Sequence, residues 1–137
     1  MDPGVGHTEA VHPIAIVAAV LAGLIHLWFF VIESVWFSRP SIWRRFGLTS
    51  DDEARVVHSF AFNQGFYNLF LAFGVGIGLL LAASGDAVSG RAIMLFACGS
   101  MVAAGVVLVL HNGRFLRAAA TQIIPALVVI LSVWLAI

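Results

Sequence analysis

The sequence predicts an all-α fold, with four transmembrane helices forming an antiparallel bundle in an integral membrane protein. Of the 137 residues, 61% are hydrophobic and only 10% are charged, whereas about 25% of the residues in a typical soluble domain are charged. Four apolar segments are each long enough to cross a hydrocarbon core of roughly 30 Å. They lie at about 14–37, 57–83, 92–110 and 118–137. We therefore expect a short outer tail at 1–13 and a single membrane domain at 14–137.

The first segment is interpreted as a helix that is retained in the membrane. The tail before it carries no basic residue, and its apolar run is longer than the core of a secretory signal. His26 and Glu33 lie seven residues apart, which places them on one face of the helix. The connection that follows contains the run PSIWRRFG at 40–47, which favours a short amphipathic helix on the membrane surface.

The second segment carries the largest group of polar side chains. Asn63 and Tyr67 form one i,i+4 pair, and Gln64 and Asn68 form another, so the four side chains make two adjacent columns on the helix. Amide groups in hydrocarbon are costly unless they have partners. We therefore expect this helix to pack its polar side chains against those of a neighbouring helix.

Capping and turn residues indicate the other boundaries. Ser50, or Thr49 before it, precedes three acids at 51–53, which is typical of a helix N-terminus. The connection at 84–91 is short and rich in turn-forming residues. Within the fourth segment, Pro125 has no backbone N–H, which leaves a carbonyl one turn earlier free to accept a hydrogen bond.

The arginines predict the orientation in the membrane. Only Arg91 flanks the second connection, and the N-terminal tail has none. The other six arginines flank the first and third connections: Arg39, Arg44, Arg45, Arg55, Arg114 and Arg117. Because cytoplasmic loops carry an excess of basic residues, we expect these two connections to be cytoplasmic. The protein is then a multi-pass protein of the cell (inner) membrane, with both termini outside the cytoplasm.

This orientation brings the polar side chains to one half of the membrane. Glu33 lies towards the cytoplasmic end of the first helix, and the polar group at 63–68 lies near the cytoplasmic start of the second. Gln122 lies near the cytoplasmic start of the fourth helix, whereas the outer halves of the helices consist of Leu, Val, Ala and Gly. The sequence therefore predicts an intramembrane polar pocket that opens towards the cytoplasm.

An ionisable side chain inside a membrane span is by default a candidate functional group. The first hypothesis is that the pocket binds or converts a small amphipathic molecule, with Glu33 as the proton-active group and His26 as its partner, these two being the candidate catalytic residues. Five further residues would orient the ligand: Asn63, Gln64, Tyr67, Asn68 and Gln122.

Two other classes of function remain open. The protein could be a proton-coupled carrier of small molecules, acting as a homodimer because four helices are few to enclose a path across the membrane. It could also be an accessory subunit in which the polar pocket only holds the helices together. The apolar outer half favours binding over transport, since a carrier needs access from both sides. Whether the protein is an enzyme stays undecided.

Several kinds of partner are not expected. Seven arginines balance seven acids, and there is no lysine, so nothing attracts a nucleic acid. No glycine-rich phosphate loop or nucleotide fingerprint indicates a cofactor. A metal site could be drawn from His26, Glu33, His58 and His111, but no i,i+4 pair of histidines and no HExxH pattern supports it. The expected partners are the lipid bilayer and an amphipathic ligand, with a second copy of the chain as a further candidate.

Three blocks of the sequence resemble the domain-of-unknown-function 1304 family of small integral membrane proteins. They are HLWFFVIESVW (26–36), NQGFYNLFLAFG (63–74) and TQIIPAL (121–127). The positions that match the family pattern are His26, Glu33, Trp36, Asn63, Gln64, Gly65, Tyr67, Asn68, Phe70, Gly74, Gln122, Pro125 and Ala126. The resemblance implies a four-helix membrane protein and supplies no reaction or ligand.

The chain departs from the family pattern at three positions. Ser34 stands where the family usually has methionine, while Leu69 and Ile123 stand where glycine is common. The larger side chain of Leu69 implies a narrower pocket beside Asn68.

Overall fold

The computed structural model describes residues 11–135, and within this range the chain is helical and contains no strand. The prediction of an all-α fold is confirmed. The long helices are α1 (Pro13–Phe30), which continues as a π-helical turn (Val31–Val35), α3 (Asp51–Ala83), α4 (Ala87–His111) and α5 (Leu116–Leu135). The short ones are α2 (Pro40–Trp43) and the 3-10 turns Arg44–Phe46 and Gly113–Phe115. Residues 1–10 of the predicted outer tail and the last two residues of the predicted fourth helix lie outside the described range, as do both termini.

The four long helices form a closed ring in which each packs against two others, in the order α1, α3, α4, α5 and back to α1. Small and apolar side chains fill the interior. The main core consists of Ala18, Ala19, Ala22, Val75, Met94, Ala97, Cys98, Met101, Ala126, Val129 and Val133. Large apolar side chains also cover the outward faces of the ring. All four helices are long and apolar enough to cross a membrane, so the chain is a multi-pass membrane protein.

Capping residues make α3 and α4 begin earlier than their apolar segments do. The Ser50 hydroxyl accepts a hydrogen bond from the Glu53 backbone N–H at 3.2 Å, while the Glu53 carboxylate accepts one from the Thr49 backbone N–H at 2.7 Å. Asp86 caps α4 by accepting from the Ser89 backbone N–H at 3.1 Å, and hydrogen bonding to Ser89 holds the pKa of Asp86 below its usual value. The connection between the two helices is therefore shorter than the predicted 84–91.

The segment PSIWRRFG forms a short helix, as expected, and it packs its apolar side chains against the rest of the chain. Ile42 and Trp43 are buried, and Trp43 belongs to a second apolar cluster with Phe37, Ala54 and Ala61. This segment therefore covers the first turns of α3. The 33 residues of α3 span about 50 Å at the rise of an α-helix, more than the roughly 30 Å of hydrocarbon. Its first turns consequently extend beyond the apolar part of the bundle.

Glycines allow α3 and α4 to approach closely near their connection. A Cβ atom added at Gly78 would lie 2.5 Å from Cγ of Met94 and 2.8 Å from the carbonyl oxygen of Gly90. A Cβ atom at Gly90 would lie 2.6 Å from the carbonyl oxygen of Gly78. Small residues at such crossings let membrane helices gain van der Waals contact where the hydrophobic effect is absent.

Candidate functional site

The candidate site is built around a π-helical turn at the end of α1. The Trp36 backbone N–H donates to the carbonyl of Val31 at 2.8 Å, which is the i to i+5 bond of a π-helix. Glu33 is the central residue of this turn. Such turns are rare and frequently occur at functional sites. The turn could not be predicted from the sequence, because a pattern of apolar and polar residues at 3.6-residue spacing gives no signal for one extra residue.

Glu33 and Asn68 meet between α1 and α3. Nδ2 of Asn68 donates a hydrogen bond of 2.7 Å to Oε2 of Glu33. Asn68 is 6% exposed and Glu33 is half-buried. Among the described residues, no other group bonds to Oε1 of Glu33 or to Oδ1 of Asn68. The pair therefore keeps two acceptor oxygens available in largely apolar surroundings.

Ser34 and Gly65 hold the two helices together beside this pair. The Ser34 hydroxyl donates to the carbonyl of Phe62 at 2.8 Å. A Cβ atom at Gly65 would lie 3.1 Å from both Cβ and the backbone nitrogen of Ser34, and it would overlap the Ser34 hydroxyl. The sequence analysis noted Ser34 only as a departure from the family pattern. The signal that could have found this contact is the i,i+3 spacing of Gly65 and Asn68, which places them on one face.

His26 lies buried in α1, with its ring against that of Phe29 at a centroid distance of 5.5 Å. Its Nδ1 is 2.9 Å from the carbonyl oxygen of Ala22. Because a carbonyl can only accept, Nδ1 carries a proton, and in the neutral ring Nε2 is an acceptor. No hydrogen bond joins His26 to Glu33. Seven residues correspond to about 10 Å along an α-helix, so any exchange between them needs a bridging group.

Gln122 is the buried polar side chain of α5, at 8% exposure. Its Nε2 faces Gly105 of α4, where an added Cβ atom would lie 3.0 Å away. Its amide forms no hydrogen bond with the part of the chain that the structure describes. Pro125 lies inside the same helix, and the Thr121 hydroxyl donates to the carbonyl of Arg117 at 2.9 Å.

Three of the predicted ligand-binding residues are exposed in the structure. Asn63 and Gln64 are exposed, and Tyr67 is 57% exposed. Of the four polar side chains, only that of Asn68 is buried. Within the described residues, no hydrogen bond joins Asn63, Gln64 or Tyr67 to Glu33, and their part in ligand binding stays a prediction.

The four residues considered for a metal site do not form a cluster among the described residues. They are His26, Glu33, His58 and His111. His58 and His111 are exposed, whereas His26 is buried. Within residues 11–135, no group of three or more His, Cys, Asp or Glu side chains is arranged to hold a metal ion.

The buried polar residues and their supporting glycine all fall within one family match. Residues 20–134 match the family model described as "Protein of unknown function (DUF1304)". The chain belongs to the DUF1304 family. The DUF1304 match extends from the middle of α1 almost to the end of α5 and includes His26, Glu33, Asn68 and Gln122, which confirms the resemblance stated from the sequence. Comparison with curated proteins and with solved structures finds no match.

Proposed function

We propose that this DUF1304 protein binds a small amphipathic molecule within its helix bundle and that Glu33 is the proton-exchanging group that contacts the polar end of that molecule. The observation that carries the proposal is the hydrogen bond between Asn68 and Glu33 inside a π-helical turn, with one oxygen of each side chain still free to accept. These two acceptors are available to a donor from a bound molecule.

The free groups suggest the chemistry of the ligand. Oε1 of Glu33 and Oδ1 of Asn68 are both acceptors, so the polar end of the ligand must supply donors. An alcohol or an amine meets this requirement. Leaving polar groups unpaired in apolar surroundings is unfavourable, and a donor from the ligand would remove that cost at both oxygens.

The apolar core supports binding over transport. The interior between the outer halves of the helices consists of Ala, Val, Met and Cys side chains. A polar group that moved from Glu33 towards the outer side would therefore find no hydrogen-bonding partner there. An apolar tail can lie along the exposed apolar side chains of the helices, while the polar end stays with Glu33. The proton-coupled carrier and the structural subunit therefore rank below binding.

His26 is proposed as the partner of Glu33 in proton exchange. With Nδ1 bonded to Ala22, the neutral ring offers Nε2 as an acceptor. A water molecule or the ligand itself has to bridge the distance to Glu33. Gln122 is proposed as a further ligand contact because its buried amide has no described partner. The proposal does not need Asn63, Gln64 or Tyr67, whose side chains are exposed.

The test is native mass spectrometry of the protein released gently from its own membrane, compared with the Glu33→Gln variant. The amide oxygen of the variant still accepts from Asn68, so the fold should be retained while the carboxylate is lost. We expect a bound small molecule in the wild type and at least about tenfold less of it in the variant, since hydrogen bonds to charged groups contribute about 1.5–3 kcal/mol. Asp86→Asn makes the same chemical change at an exposed site and should leave the bound molecule in place.

Two outcomes would contradict the proposal. Either the wild type is free of any ligand, or Glu33→Gln and Asp86→Asn retain the ligand equally. In the first case, proton-driven flux in proteoliposomes then separates the two alternatives. A carrier loses flux in Glu33→Gln, whereas a structural subunit shows none in either form.

A further inference from the structure

Six of the seven arginines flank the first and third connections, where acids do not balance them. These connections and the first turn of α3 contain only three acids, Asp51, Asp52 and Glu53, so the arginines exceed the acids by three. Among the described residues, Arg55 forms an ion pair with Asp52 at 3.6 Å, and none of the other five has a carboxylate partner. Those five arginines are all exposed: Arg39, Arg44, Arg45, Arg114 and Arg117.

The side chain of Arg114 joins the third connection to the first. A Cβ atom added at Gly47, which ends the α2 segment, would lie 2.7 Å from Cζ of Arg114. On its other side, the same carbon lies 4.8 Å from the centre of the Phe115 ring. The backbone N–H of Gly47 donates to the carbonyl of Arg44 at 3.0 Å. The guanidinium of Arg114 therefore lies at the end of the 3-10 turn that carries Arg44 and Arg45.

The hydrogen-bond donors of this guanidinium are unused. The Arg114 side chain forms no hydrogen bond or ion pair with the part of the chain that the structure describes, and stacking on an aromatic ring leaves the N–H groups at its edge free. Arg44, Arg45 and Arg114 (the arginine cluster) carry like charges on neighbouring segments, and an anion among them would lower their repulsion. Phosphate suits such a position, because the fork of donors on arginine matches two phosphate oxygens.

Exposed apolar side chains adjoin the arginine cluster. Leu110 and Leu116, on either side of Arg114 in the sequence, are 81% and 59% exposed. At the end of α1, the Arg39 guanidinium lies 4.6 Å from the centre of the Trp36 ring, and tryptophan at the end of a membrane span usually lies at the depth of the lipid headgroups. A soluble anion would meet the charges alone, whereas a phospholipid would meet both the charges and the apolar side chains.

We propose that the arginine cluster binds an anionic phospholipid of the cytoplasmic leaflet. The lipid phosphate lies between Arg114 and the pair Arg44 and Arg45, and the acyl chains follow the exposed apolar side chains of α4 and α5. Basic residues close to a membrane span attract anionic lipids in this way. The bound phosphate links the first connection to the third and offsets part of the excess charge at this end of the bundle.

The test measures lipid retention by native mass spectrometry of the full chain, purified in dodecyl maltoside. The protein is offered equal amounts of phosphatidylglycerol and phosphatidylcholine with the same acyl chains, and the wild type should retain phosphatidylglycerol in preference. Arg114→Gln should lower this retention about fivefold, the effect expected of one arginine near an anionic headgroup. Arg55→Gln removes the same charge from the same end of the bundle, outside the arginine cluster, and should leave the retention unchanged.

Two further arms test the geometry and the source of the phosphate. Arg45→Gln changes the cluster on the other connection and should also lower the retention of phosphatidylglycerol. Glycerol phosphate presents the same phosphate without acyl chains, and at a concentration equal to that of the lipid it should not displace it.

The proposal is overturned if the wild type retains both lipids equally. It is also overturned if Arg114→Gln and Arg55→Gln lower the retention of phosphatidylglycerol to the same extent, since the net charge alone would then attract the lipid. Displacement of the lipid by glycerol phosphate would overturn it as well, because the arginine cluster would then be a site for a soluble anion.

Discussion

At the scale of single residues, the buried polar pair consists of one acceptor and one donor that depend on each other. Asn68 donates to Glu33, and no second described group bonds to that carboxylate. Removing one partner therefore has a different consequence from removing the other. Loss of the Asn68 amide leaves a carboxylate without any protein donor, whereas loss of the Glu33 charge leaves a carbonyl in its place.

This inequality gives a prediction for stability. Asn68→Leu should lower the free energy of unfolding by about 1–3 kcal/mol, because it leaves a partly buried acidic group unpaired. Glu33→Gln should lower it by less than about 1 kcal/mol, since interhelical hydrogen bonds in membranes average about 0.6 kcal/mol and this one can still form. The measurement is reversible unfolding in mixed micelles, with Thr121→Val as an exposed control. Equal losses in the two variants would contradict the assigned dependence.

At the scale of the helices, the approach of α1 to α3 depends on a single glycine. The π-helical turn brings Ser34 against Gly65, and the Glu33–Asn68 bond forms beside this contact. Gly76 of the same helix is not equivalent to it. A Cβ atom at Gly76 would meet nothing within 4 Å, so that position tolerates a methyl group.

Gly65→Ala should therefore destabilise the bundle, whereas Gly76→Ala should not. The added methyl group at 65 would overlap Ser34 and push α1 away from α3, and overpacking of this kind costs about 1–3 kcal/mol. The same unfolding measurement tests it, with Gly76→Ala as the matched control. Because the nearest atom at 65 is the Ser34 hydroxyl oxygen, the double variant with Ser34→Ala should recover part of the loss. Comparable stability of the two alanine variants would show that this contact does not limit the approach of the helices.

At the scale of the whole molecule, the ring of helices places the first and third connections at the same end. The side chain of Arg114 lies directly against Gly47, which ends the α2 segment with a φ of 86°. Six of the seven arginines lie at this end. The excess of positive charge predicts that this end is cytoplasmic, and the termini are then expected on the other side.

Labelling of single cysteines tests this orientation. Cys98 is the only cysteine of the chain and is buried, so replacing it with alanine provides a clean background. We expect Ser84→Cys, in the second connection, to react with a membrane-impermeant maleimide in intact cells. Ser41→Cys, in α2, should react only after the membrane is opened. Ser41 and Ser84 are both exposed, so a reversed pattern of labelling would reverse the orientation.

Much of the fold could be predicted from the sequence because a bilayer restricts what a chain can do. Backbone groups in hydrocarbon must bond within the segment, so a long apolar run can only be a helix. The start of α3 after Ser50 followed from local capping residues. The family resemblance rested on the three sequence blocks at 26–36, 63–74 and 121–127, and the family match confirms it.

For the candidate site, too, the sequence predicts which residues are involved, whereas the tertiary structure decides which of them are in contact. The residue types at Glu33, His26, Asn68 and Gln122 follow from the sequence, since polar groups in apolar helices need partners. Their pairing could not be read from it. Which of four neighbouring polar side chains on α3 faces inwards depends on the rotation of the helix, and one extra residue in a π-helical turn changes which side chains α1 directs at its neighbour.

The sequence by itself determined the number of helices, their approximate lengths and the family of this protein, because hydrophobic length and residue types are properties of each segment alone. Only the tertiary structure decided that Asn68 reaches Glu33 while Tyr67 is exposed, and that Trp43 is buried in the cluster that covers the first turns of α3. Those outcomes depend on contacts between segments, where a single glycine or a change in helical twist alters which atoms can touch.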